Sequence, residues 1–399
     1  MLNIMKKQIS LLIVVLGITF NTNAQWQQIG PNGVGSIDCI AIKGNNIFAG
    51  SGNTGVYLSS NNGDSWAAVN TGLSLYSVAA FAISGDTLFA GIPNGGVYMS
   101  SNNGTNWIHT GLISGNIHTL AKKGNNFFAG ALNTGIDHGV YFSTNNGQTW
   151  LRVNSGLTNT DVVSLGIIGN NIFAGTNGGG VFLSSNNGNS WVEKNTGLSD
   201  TYIYAITSID SNIFVGTGNG IFLSTNNGSN WAPASNGIPP NSTIYAFAVI
   251  GDTIIAGTQT DSSTVFMSLD YGNNWISISD GFPNNYCVLS FATIGDTIYA
   301  GTTTDHGVWR HNISGLSDIN STYNDKRITL YPNPATDFLK IENTQGAVIE
   351  IINITGQIIQ NLRTNEKNTY INISTFSKGL YFLKITNDNG TEMKKFIKM

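Results

Sequence analysis

Charge is the property that this sequence has least of. Asp, Glu, Lys and Arg make up 10% of the 399 residues, against about 25% in an average globular domain. The repeats that fill most of the chain contain no cluster of Lys or Arg, so binding to nucleic acid is not expected. Hydrophobic residues still account for 41% of the chain. That is enough to bury a core, so the low charge does not indicate disorder.

Cysteine is also scarce. The chain contains only Cys39 and Cys287, too few for a scaffold built on disulfides. They fall in the first strands of the first and last repeats, which a closed ring would make neighbours. A disulfide that locks the ring in an oxidising compartment is one interpretation. Two buried, unpaired side chains are the other, because the two positions differ by three residues within the repeat.

Long hydrophobic runs are missing after residue 24. Before it, Lys6 and Lys7 precede an apolar stretch, Ile9–Phe20, that is too short for a comfortable membrane span. Small residues follow, ending at Ala24. We therefore predict a secretory signal peptide over residues 1–24, cleaved before Gln25. An N-terminal membrane anchor is the alternative, and no later stretch is predicted to span a membrane as a helix.

What the sequence has in abundance is a repeated segment rich in Gly and Asn. The repeated segment, which we call the box, ends in a tryptophan, and its clearest copy is Gly180–Trp191, GVFLSSNNGNSW. Six box tryptophans lie 40 to 44 residues apart: Trp66, Trp107, Trp150, Trp191, Trp231 and Trp275. Each unit carries four short β-type runs between Gly/Asn turns, without a sustained helical period. Four strands at this period are typical of one β-propeller blade.

A second motif gives the number of blades. A strand ending in Ala-Gly or Val-Gly appears seven times, at Gly50, Gly91, Gly130, Gly175, Gly216, Gly257 and Gly301. The seventh unit stops after Trp309, before its fourth strand, and Trp26–Gly30 is similar to the strand that follows each box. We therefore predict an all-β, seven-bladed propeller over residues 25–313, closed by its N-terminal strand so that no sheet edge stays open. A linear β-solenoid is the alternative, but it does not explain the split unit.

The box has the pattern Ser-x-Asn/Asp-x-Gly-x-x-Trp, which suits a turn. The Asn or Asp side chain accepts hydrogen bonds from the turn's own backbone, and Gly allows a positive φ. The Trp buries a large surface between blades, with its N–H free to find a partner. This segment resembles the Asp-box (BNR) repeat of sialidase-like propellers, in which the box is structural and lies away from the active face. Ser268–Trp275 is a full match, and the other boxes carry Asn instead of Asp, at Asn61, Asn102, Asn145, Asn186 and Asn226.

The resemblance does not carry sialidase activity with it. Sialidases hold a substrate carboxylate with three arginines, because the guanidinium fork matches carboxylate geometry. The propeller segment contains only Arg152, Arg310 and one glutamate, Glu193. Xyloglucan-degrading enzymes with similar repeats use paired Asp residues across two tandem propellers, and this chain has one propeller. We predict no catalytic residue, although hydrolysis by a pair of Asp carboxylates remains an alternative.

The predicted ligand site lies on the face opposite the boxes, where the inner strands begin. One position per unit falls there, and we call these the rim positions: Asp38, Ala79, His118, Val163, Tyr204, Tyr245 and Leu289. Two residues further on, every unit has a large apolar residue that is predicted to be core: Ile40, Phe81, Leu120, Leu165, Ile206, Phe247 and Phe291. The ligand-binding candidates are Asp38, His118, Tyr204 and Tyr245, because an irregular polar and aromatic set is typical of a binding surface. Ordinary packing variation is the alternative.

Two loop fragments look like pieces of a metal site. Asp137-His138 and Asp305-His306 occupy equivalent loops of the third and seventh units, which a seven-bladed ring places far apart. We therefore interpret them as solvated loop residues and predict no metal and no cofactor. The sequence also shows no phosphate-binding loop and no recognisable arrangement of nucleophile and base.

The last part of the chain differs in composition. Residues 314–326 are polar and are predicted to be a linker, whereas Arg327–Met399 carries more charge. Alternating runs at Phe338–Ile341, Val348–Ile354, Tyr370–Ile373 and Leu380–Ile385 predict a small antiparallel β-sandwich.

Three motifs in this segment resemble, in order, those of the type A sorting domain of the Bacteroidota type IX secretion system. They are LYPNPATD, GLYFLKI and the basic ending KKFIKM. The residues that carry the resemblance are Tyr331, Pro332, Asn333, Pro334, Asp337, Gly379, Tyr381, Lys394 and Lys395. The resemblance implies the secretion machinery as a partner and passage through the periplasm to the outer-membrane surface. There the domain is usually removed, and the cargo is released or attached to lipopolysaccharide.

These features together predict a secreted or cell-surface, non-catalytic propeller that binds a glycan or a protein, or acts as a scaffold. One alternative is a carbohydrate-active enzyme that uses Asp residues on the open face. Another is a structural surface-coat protein, which the low charge and the many Asn and Gly residues permit.

Overall fold

The computed structural model describes residues 25–313 and 329–399, except 75, 113–114, 133–134, 136–137, 261–263, 284–285, 304–306, 332–334, 354–356 and 388–389. The predicted signal peptide and linker lie outside these residues. The described residues form strands and turns and no helix. They therefore include no helix that is long and apolar enough to cross a membrane. The chain divides into two compact units, Met1–Ile313 and Ser314–Met399.

The first unit contains, in its described residues, seven four-stranded antiparallel sheets, each of which is one blade. The innermost strands, in blade order, are β2 (Ile37–Lys43), β6 (Ala80–Ser84), β10 (Asn116–Lys123), β14 (Val162–Ile168), β18 (Ile203–Ile209), β22 (Thr243–Ile250) and β26 (Val288–Ile294). The second strands are β3 (Asn46–Ser51), β7 (Thr87–Ile92), β11 (Asn126–Leu132), β15 (Asn171–Thr176), β19 (Asn212–Thr217), β23 (Thr253–Gln259) and β27 (Thr297–Thr302).

In six blades the third strand forms the first part of the box, and the outer strand follows the box tryptophan. The third strands are β4 (Gly55–Ser59), β8 (Gly96–Ser100), β12 (Gly139–Ser143), β16 (Gly180–Ser184), β20 (Gly220–Ser224), β24 (Val265–Ser268) and β28 (Val308–Asn312). The outer strands are short: β5 (Ala67–Ala68), β9 (Ile108–His109), β13 (Leu151–Arg152), β17 (Val192–Glu193), β21 (Ala232–Pro233), β25 (Ile276–Ser277) and, from the other end of the unit, β1 (Gln27–Gly30).

The ring closes as the split repeat predicts. The last blade has the strand order β1-β28-β27-β26, so the first strand of the unit completes the sheet that the last three begin. Gln27 pairs with Arg310 and Gln28 with Trp309. The inner strands contact one another in sequence around the ring, and β2 contacts β26. The closed arrangement confirms the propeller and excludes the linear solenoid.

The second strands explain the Ala-Gly motif. They are buried along most of their length, because each lies within a blade whose two faces are covered by neighbouring blades. Gly175 has no room for a side chain: a Cβ there would lie 2.3 Å from Ser164 Oγ and 2.6 Å from Ile203 Cγ2 of the next blade. Glycine at this point therefore allows the inner strand of the next blade to approach closely.

The boxes are hydrogen-bonded turns at one end of each blade. In Gly180–Trp191 the Ser184 hydroxyl donates to Asn186 Oδ1 over 2.9 Å and accepts the Gly188 N–H over 2.8 Å. The Ser190 N–H then donates to Asn186 Oδ1 over 2.9 Å. Asp270 makes the same contacts from Ser268 and from the Asn274 N–H. Asn therefore makes the same two contacts as Asp through one side-chain oxygen. The second polar atom differs: Asp270 Oδ2 accepts from Asn274 Nδ2 over 2.7 Å, whereas Asn186 Nδ2 donates to Ser190 Oγ over 2.9 Å.

The tryptophans join each blade to the one before it. The Trp191 indole N–H donates to Val153 O over 2.7 Å, across the blade boundary, with the ring 3% exposed. The same bond is made by Trp26, Trp66, Trp107, Trp231 and Trp275. Trp150 differs, since its N–H donates to Gly147 O within its own turn. All seven indole N–H groups are therefore bonded, as predicted, and six of them bond across a blade boundary.

The two cysteines do not form the ring-locking disulfide that was one expectation. Both are buried and free. The Cys39 thiol lies 3.4 Å from Val78 O, on the side of the second blade. Cys287 forms a bridge to Gln259 of the sixth blade. The side chains therefore point away from their shared boundary, because an offset of three residues within the repeat turns them to opposite faces.

The second unit is the predicted β-sandwich. One sheet has the order β29 (Thr329–Tyr331), β30 (Phe338–Glu342), β33 (Asn368–Asn372), and the other β32 (Ile358–Thr364), β31 (Ala347–Asn353), β34 (Gly379–Asn387), β35 (Gly390–Lys398). A single core joins them, with Leu339 and Ile371 on one side and Ile349, Leu383 and Phe396 on the other. The alternating runs of the sequence do not predict β29, β32 or β35.

Candidate functional site

The rim positions share a backbone feature that the sequence did not reveal. In six of the seven blades the inner strand has a β-bulge, and the residue that the bulge leaves unpaired is the one at the rim. The bulges leave out Asp38, His118, Val163, Tyr204, Tyr245 and Leu289. Ala79 of the second blade lies one residue before its strand. Bulges re-aim side chains and are frequent beside functional sites.

All seven rim residues line one cavity of about 780 Å³. Five of the apolar residues two positions further on also line it: Ile40, Phe81, Leu120, Leu165 and Ile206. These five also pack between blades, in the cores of five different interfaces. The predicted core layer is therefore also the apolar wall of the cavity, below a more polar rim. The four candidate ligand-binding residues meet at this one recess.

Tyr204 and Tyr245 form an aromatic pair on adjacent blades, the fifth and the sixth. Their ring centroids lie 5.2 Å apart at an interplanar angle of 52°. The Tyr245 hydroxyl is held by Gln259 Oε1 at 3.1 Å. Burial raises the pKa of both phenols, so both are neutral at pH 7. The tilted rings form a wedge with apolar faces and polar tips.

Asp38 lies on the first blade and is half-buried. Burial raises the pKa of this carboxyl, and a hydrogen bond from the Ser36 side chain opposes the rise. Gly52 leaves the space that these groups occupy, since a Cβ there would lie 2.5 Å from Ser36 Oγ and 2.9 Å from Asp38 Oδ2. The described residues show no ion pair to Asp38.

His118 and Asn116 lie on the third blade. Burial lowers the pKa of His118, and the negative charge of Asp161 opposes the shift, so the imidazole is neutral near pH 7. Asn116 is 7% exposed and lines the cavity, and its Oδ1 has no hydrogen-bond partner among the described residues. A buried acceptor without a donor is costly, and a bound donor would satisfy it.

Few charged side chains line the cavity, which restricts the reactions that they could catalyse. Among its described lining residues Asp38 is the one carboxylate, and none is Lys or Arg. A glycosidase needs two carboxylates, and the described lining residues supply one. No group of three or more His, Cys, Asp or Glu residues that could hold a metal is found in the described residues. His138 is half-buried, and Asp137, Asp305 and His306 lie outside the described residues.

The sorting-motif residues are distributed over the second unit. Tyr331 ends β29, exposed, and its hydroxyl is bonded to Glu342 Oε1 and to Lys340. Tyr381 is 7% exposed, donates to Ser377 O over 2.9 Å and stacks on Phe396 at 5.3 Å. Gly379 begins β34 and Asp337 is exposed. Lys394 and Lys395 lie in β35, opposite Leu383 and Phe382, and Pro332, Asn333 and Pro334 lie outside the described residues.

The chain end returns to the first of these motifs. The Met399 N–H donates to Ala335 O over 2.9 Å, and Lys398 forms a bridge with Ala335. The first and last motifs, separated by more than fifty residues of sequence, therefore meet at one edge of the sandwich. Two sheets, and motifs that meet in space, define a small β-domain that follows a β-propeller.

The comparisons agree with this description. Residues 329–399 match the family of the secretion system C-terminal sorting domain. The second unit is therefore a sorting domain of the type IX secretion system, and the protein is exported to the cell surface or secreted. No curated protein sequence matches the chain.

Solved structures show the propeller fold. PorZ, a surface component of the type IX secretion system of Porphyromonas gingivalis, is 13% identical with a TM-score of 0.53, over 92% of this chain and 60% of that one. The extracellular domain of BT4673 from B. thetaiotaomicron is 17% identical with a TM-score of 0.61, over 93% and 52%. YCF48 bound to D1 peptide is 13% identical with a TM-score of 0.58, over 72% and 96%.

Proposed function

We propose that the protein is a non-catalytic binding protein, exported by the type IX secretion system, that holds a glycan or a protein ligand at the central cavity of its propeller. The observation that carries this proposal is the set of six bulges that turn rim residues toward a single recess. A repeated structural element has no need for such irregular residues at one end. Pockets with apolar walls and a few convergent polar groups are typical of ligand sites.

The position of the boxes supports the choice of face. Their side chains are used within the turns and between blades, so that end of the ring has little left to offer a ligand. The opposite end carries the aromatic pair, the half-buried Asp38 and the unsatisfied Asn116. A protein of this fold, YCF48, is solved with a bound peptide, which supports a protein ligand by analogy of fold alone.

A carbohydrate-active enzyme is the second candidate. The carboxyl group of Asp38 at the cavity favours it, since burial raises the pKa of that group, which is the direction that a general acid requires. The enzyme hypothesis also needs a second carboxylate at the cavity. It predicts release of reducing sugar from a polysaccharide and loss of that activity in Asp38→Asn. Binding without turnover contradicts it.

An array of saccharides and peptides tests the binding function. The full chain should be compared with a triple variant, His118→Ala, Tyr204→Ala and Tyr245→Ala. The matched control is Leu151→Ala with Val192→Ala, because these side chains are 65% and 59% exposed on outer strands. Saturable binding that the triple variant loses and the control keeps supports the proposal. Binding that survives in the triple variant contradicts the site, and no binding by folded protein favours a structural coat.

A further inference from the structure

The cavity offers hydrogen-bond acceptors and no positive charge. Asp38 is the one carboxylate among its described lining residues, and none of them is Lys or Arg. Two lysines of the inner strands, Lys43 and Lys123, are engaged at the opposite end of the ring. Lys43 Nζ donates to Asn103 Oδ1 over 2.9 Å and Lys123 Nζ to Asn187 Oδ1 over 3.0 Å, both in boxes. The charge of Asp38 is therefore not balanced from within the cavity.

Asn116 extends this acceptor side. The residue lines the cavity, and its Oδ1 is buried and has no partner among the described residues. Asp38 and Asn116 belong to the first and third blades, so the acceptors lie on one side of the ring axis. A ligand that enters here satisfies the site only by bringing donors. An anionic ligand would meet an uncompensated carboxylate instead.

The aromatic pair lies on the other side of the axis. In a ring of seven blades, the fifth and sixth lie across from the first three, so Tyr204 and Tyr245 face the side that carries Asp38. The faces of tyrosine rings attract cations. They also pack against the methylene stem of a lysine, whose charged end can then reach further.

We propose that the cavity binds the ammonium group of a lysine side chain that protrudes from a protein ligand. The ammonium pairs with the Asp38 carboxylate, and the aliphatic stem lies against the Tyr204–Tyr245 wedge. The inference rests on the proposed binding function and adds the chemistry of the ligand. It gives a role to the half-buried Asp38, which has no ion pair among the described residues.

The shape of the site favours a protruding side chain over a polysaccharide. The beginnings of the seven inner strands surround the cavity, a shape that admits a side chain end-on. A lysine side chain enters end-on and places a compact charge at the end of a flexible stem. Most amino groups of biological polysaccharides are acetylated and neutral, whereas lysine carries its charge at any physiological pH.

Peptides that differ only in one charge test the inference on the full chain. Short Gly/Ser peptides with varied flanking residues are synthesised in three forms, with Lys, Nε-acetyl-Lys or Glu at the central position. Fluorescence anisotropy gives each dissociation constant. We expect the Lys form to bind about tenfold or more tightly than the acetylated form, since a charged hydrogen bond is lost. The Glu form should not bind.

Variants identify the residue responsible. Asp38→Asn should weaken binding of the Lys form by about 10- to 100-fold and remove the preference over acetyl-Lys. Tyr245→Ala should weaken it by about 3- to 10-fold. The control is Asp210→Asn, an exposed residue on the turn at the opposite end of an inner strand. It should leave binding unchanged, and the acetyl-Lys comparison stays decisive even if a variant does not fold.

The outcomes separate this inference from the function on which it rests. Equal binding of the Lys and acetyl-Lys forms overturns the ammonium site. Binding of glucosamine oligomers without binding of the lysine peptides also overturns it, while a ligand site at the cavity survives. If the folded protein retains neither peptides nor saccharides, the proposed binding function itself fails.

Discussion

Trp26 holds the N-terminal strand in the last blade, and its replacement by Ala tests the closure of the ring. The side chain is 3% exposed, and its ring lies 4.6 Å from Phe282 and 5.1 Å from His311. Its N–H donates to Ile278 O over 2.7 Å. Loss of a buried aromatic side chain costs about 3–5 kcal/mol. For a unit of this size we expect a drop in Tm of about 6–10 °C.

The variant should also change one sheet edge in particular. β1 and β28 lie at opposite ends of the first unit, so they are joined by strand pairing and side-chain contacts and not by a connecting turn. When Trp26 is lost, β1 detaches more often and exposes the edge of β28, which favours aggregation. Hydrogen exchange followed by mass spectrometry should therefore be faster in peptides that cover Val308–Asn312.

Trp107→Ala is the matched control. Trp107 is 4% exposed and donates to Val69 O over 2.7 Å, but its outer strand continues directly from its own box. It should lower Tm by a similar amount and leave exchange in β28 unchanged. Equal exchange in β28 for wild type and Trp26→Ala would refute the closure argument, whatever the change in Tm.

Two further predictions concern the box and the closing blade. Ser184→Ala removes the acceptor of the buried Gly188 N–H and should lower the free energy of unfolding in urea by about 1–3 kcal/mol. The control, Ser185→Ala at the adjacent exposed residue, should change it by no more than about 0.5 kcal/mol. Similar losses for the two variants would contradict the box geometry. Burial lowers the pKa of His311, and Gln25 and Asp280 oppose the shift. Below about pH 6.5 the unfolded chain therefore binds a proton that the folded chain does not, and the free energy of unfolding falls. His311→Phe should reduce this acid loss, measured as unfolding free energy between pH 7.5 and 5.5, by at most about 1.4 kcal/mol per pH unit; an unchanged slope would contradict it.

The architecture could be predicted because it is repeated. The period is 40 to 44 residues, and the box occurs in six units whereas the strand motif occurs in seven. Only an arrangement with Trp26–Gly30 in the last blade gives every blade four strands. The role of the tryptophans also followed from chemistry, since a buried indole N–H needs a partner. Trp150 departs from the pattern, and nothing in its own sequence distinguishes it.

The position of the rim residues could be predicted from the sequence, but the bulged conformation of their backbone could not. Alignment of the units located Asp38, His118, Tyr204 and Tyr245 where the inner strands begin, and the structure brings them to one cavity. The bulges leave no mark in a single sequence, because each depends on the register with the second strand. Asn116 was missed for the same reason, since its unsatisfied oxygen is a property of the packed structure.

The cysteines show the limit of reasoning from adjacency. Cys39 and Cys287 lie in neighbouring blades, but a strand has two faces and an offset of three residues reverses the face. In the second unit the edge strands were missed because β32 and β35 do not show a clear alternation. Their place is set by pairing with β31 and β34.

The measurement that tests the central claim most directly is hydrogen exchange in the presence of the ligand that the arrays retain most strongly. We predict that saturating ligand slows exchange in peptides that cover the bulges around His118, Tyr204 and Tyr245, with no change in the box turns. Protection confined to the box turns or to the sorting domain would contradict a binding site at the central cavity.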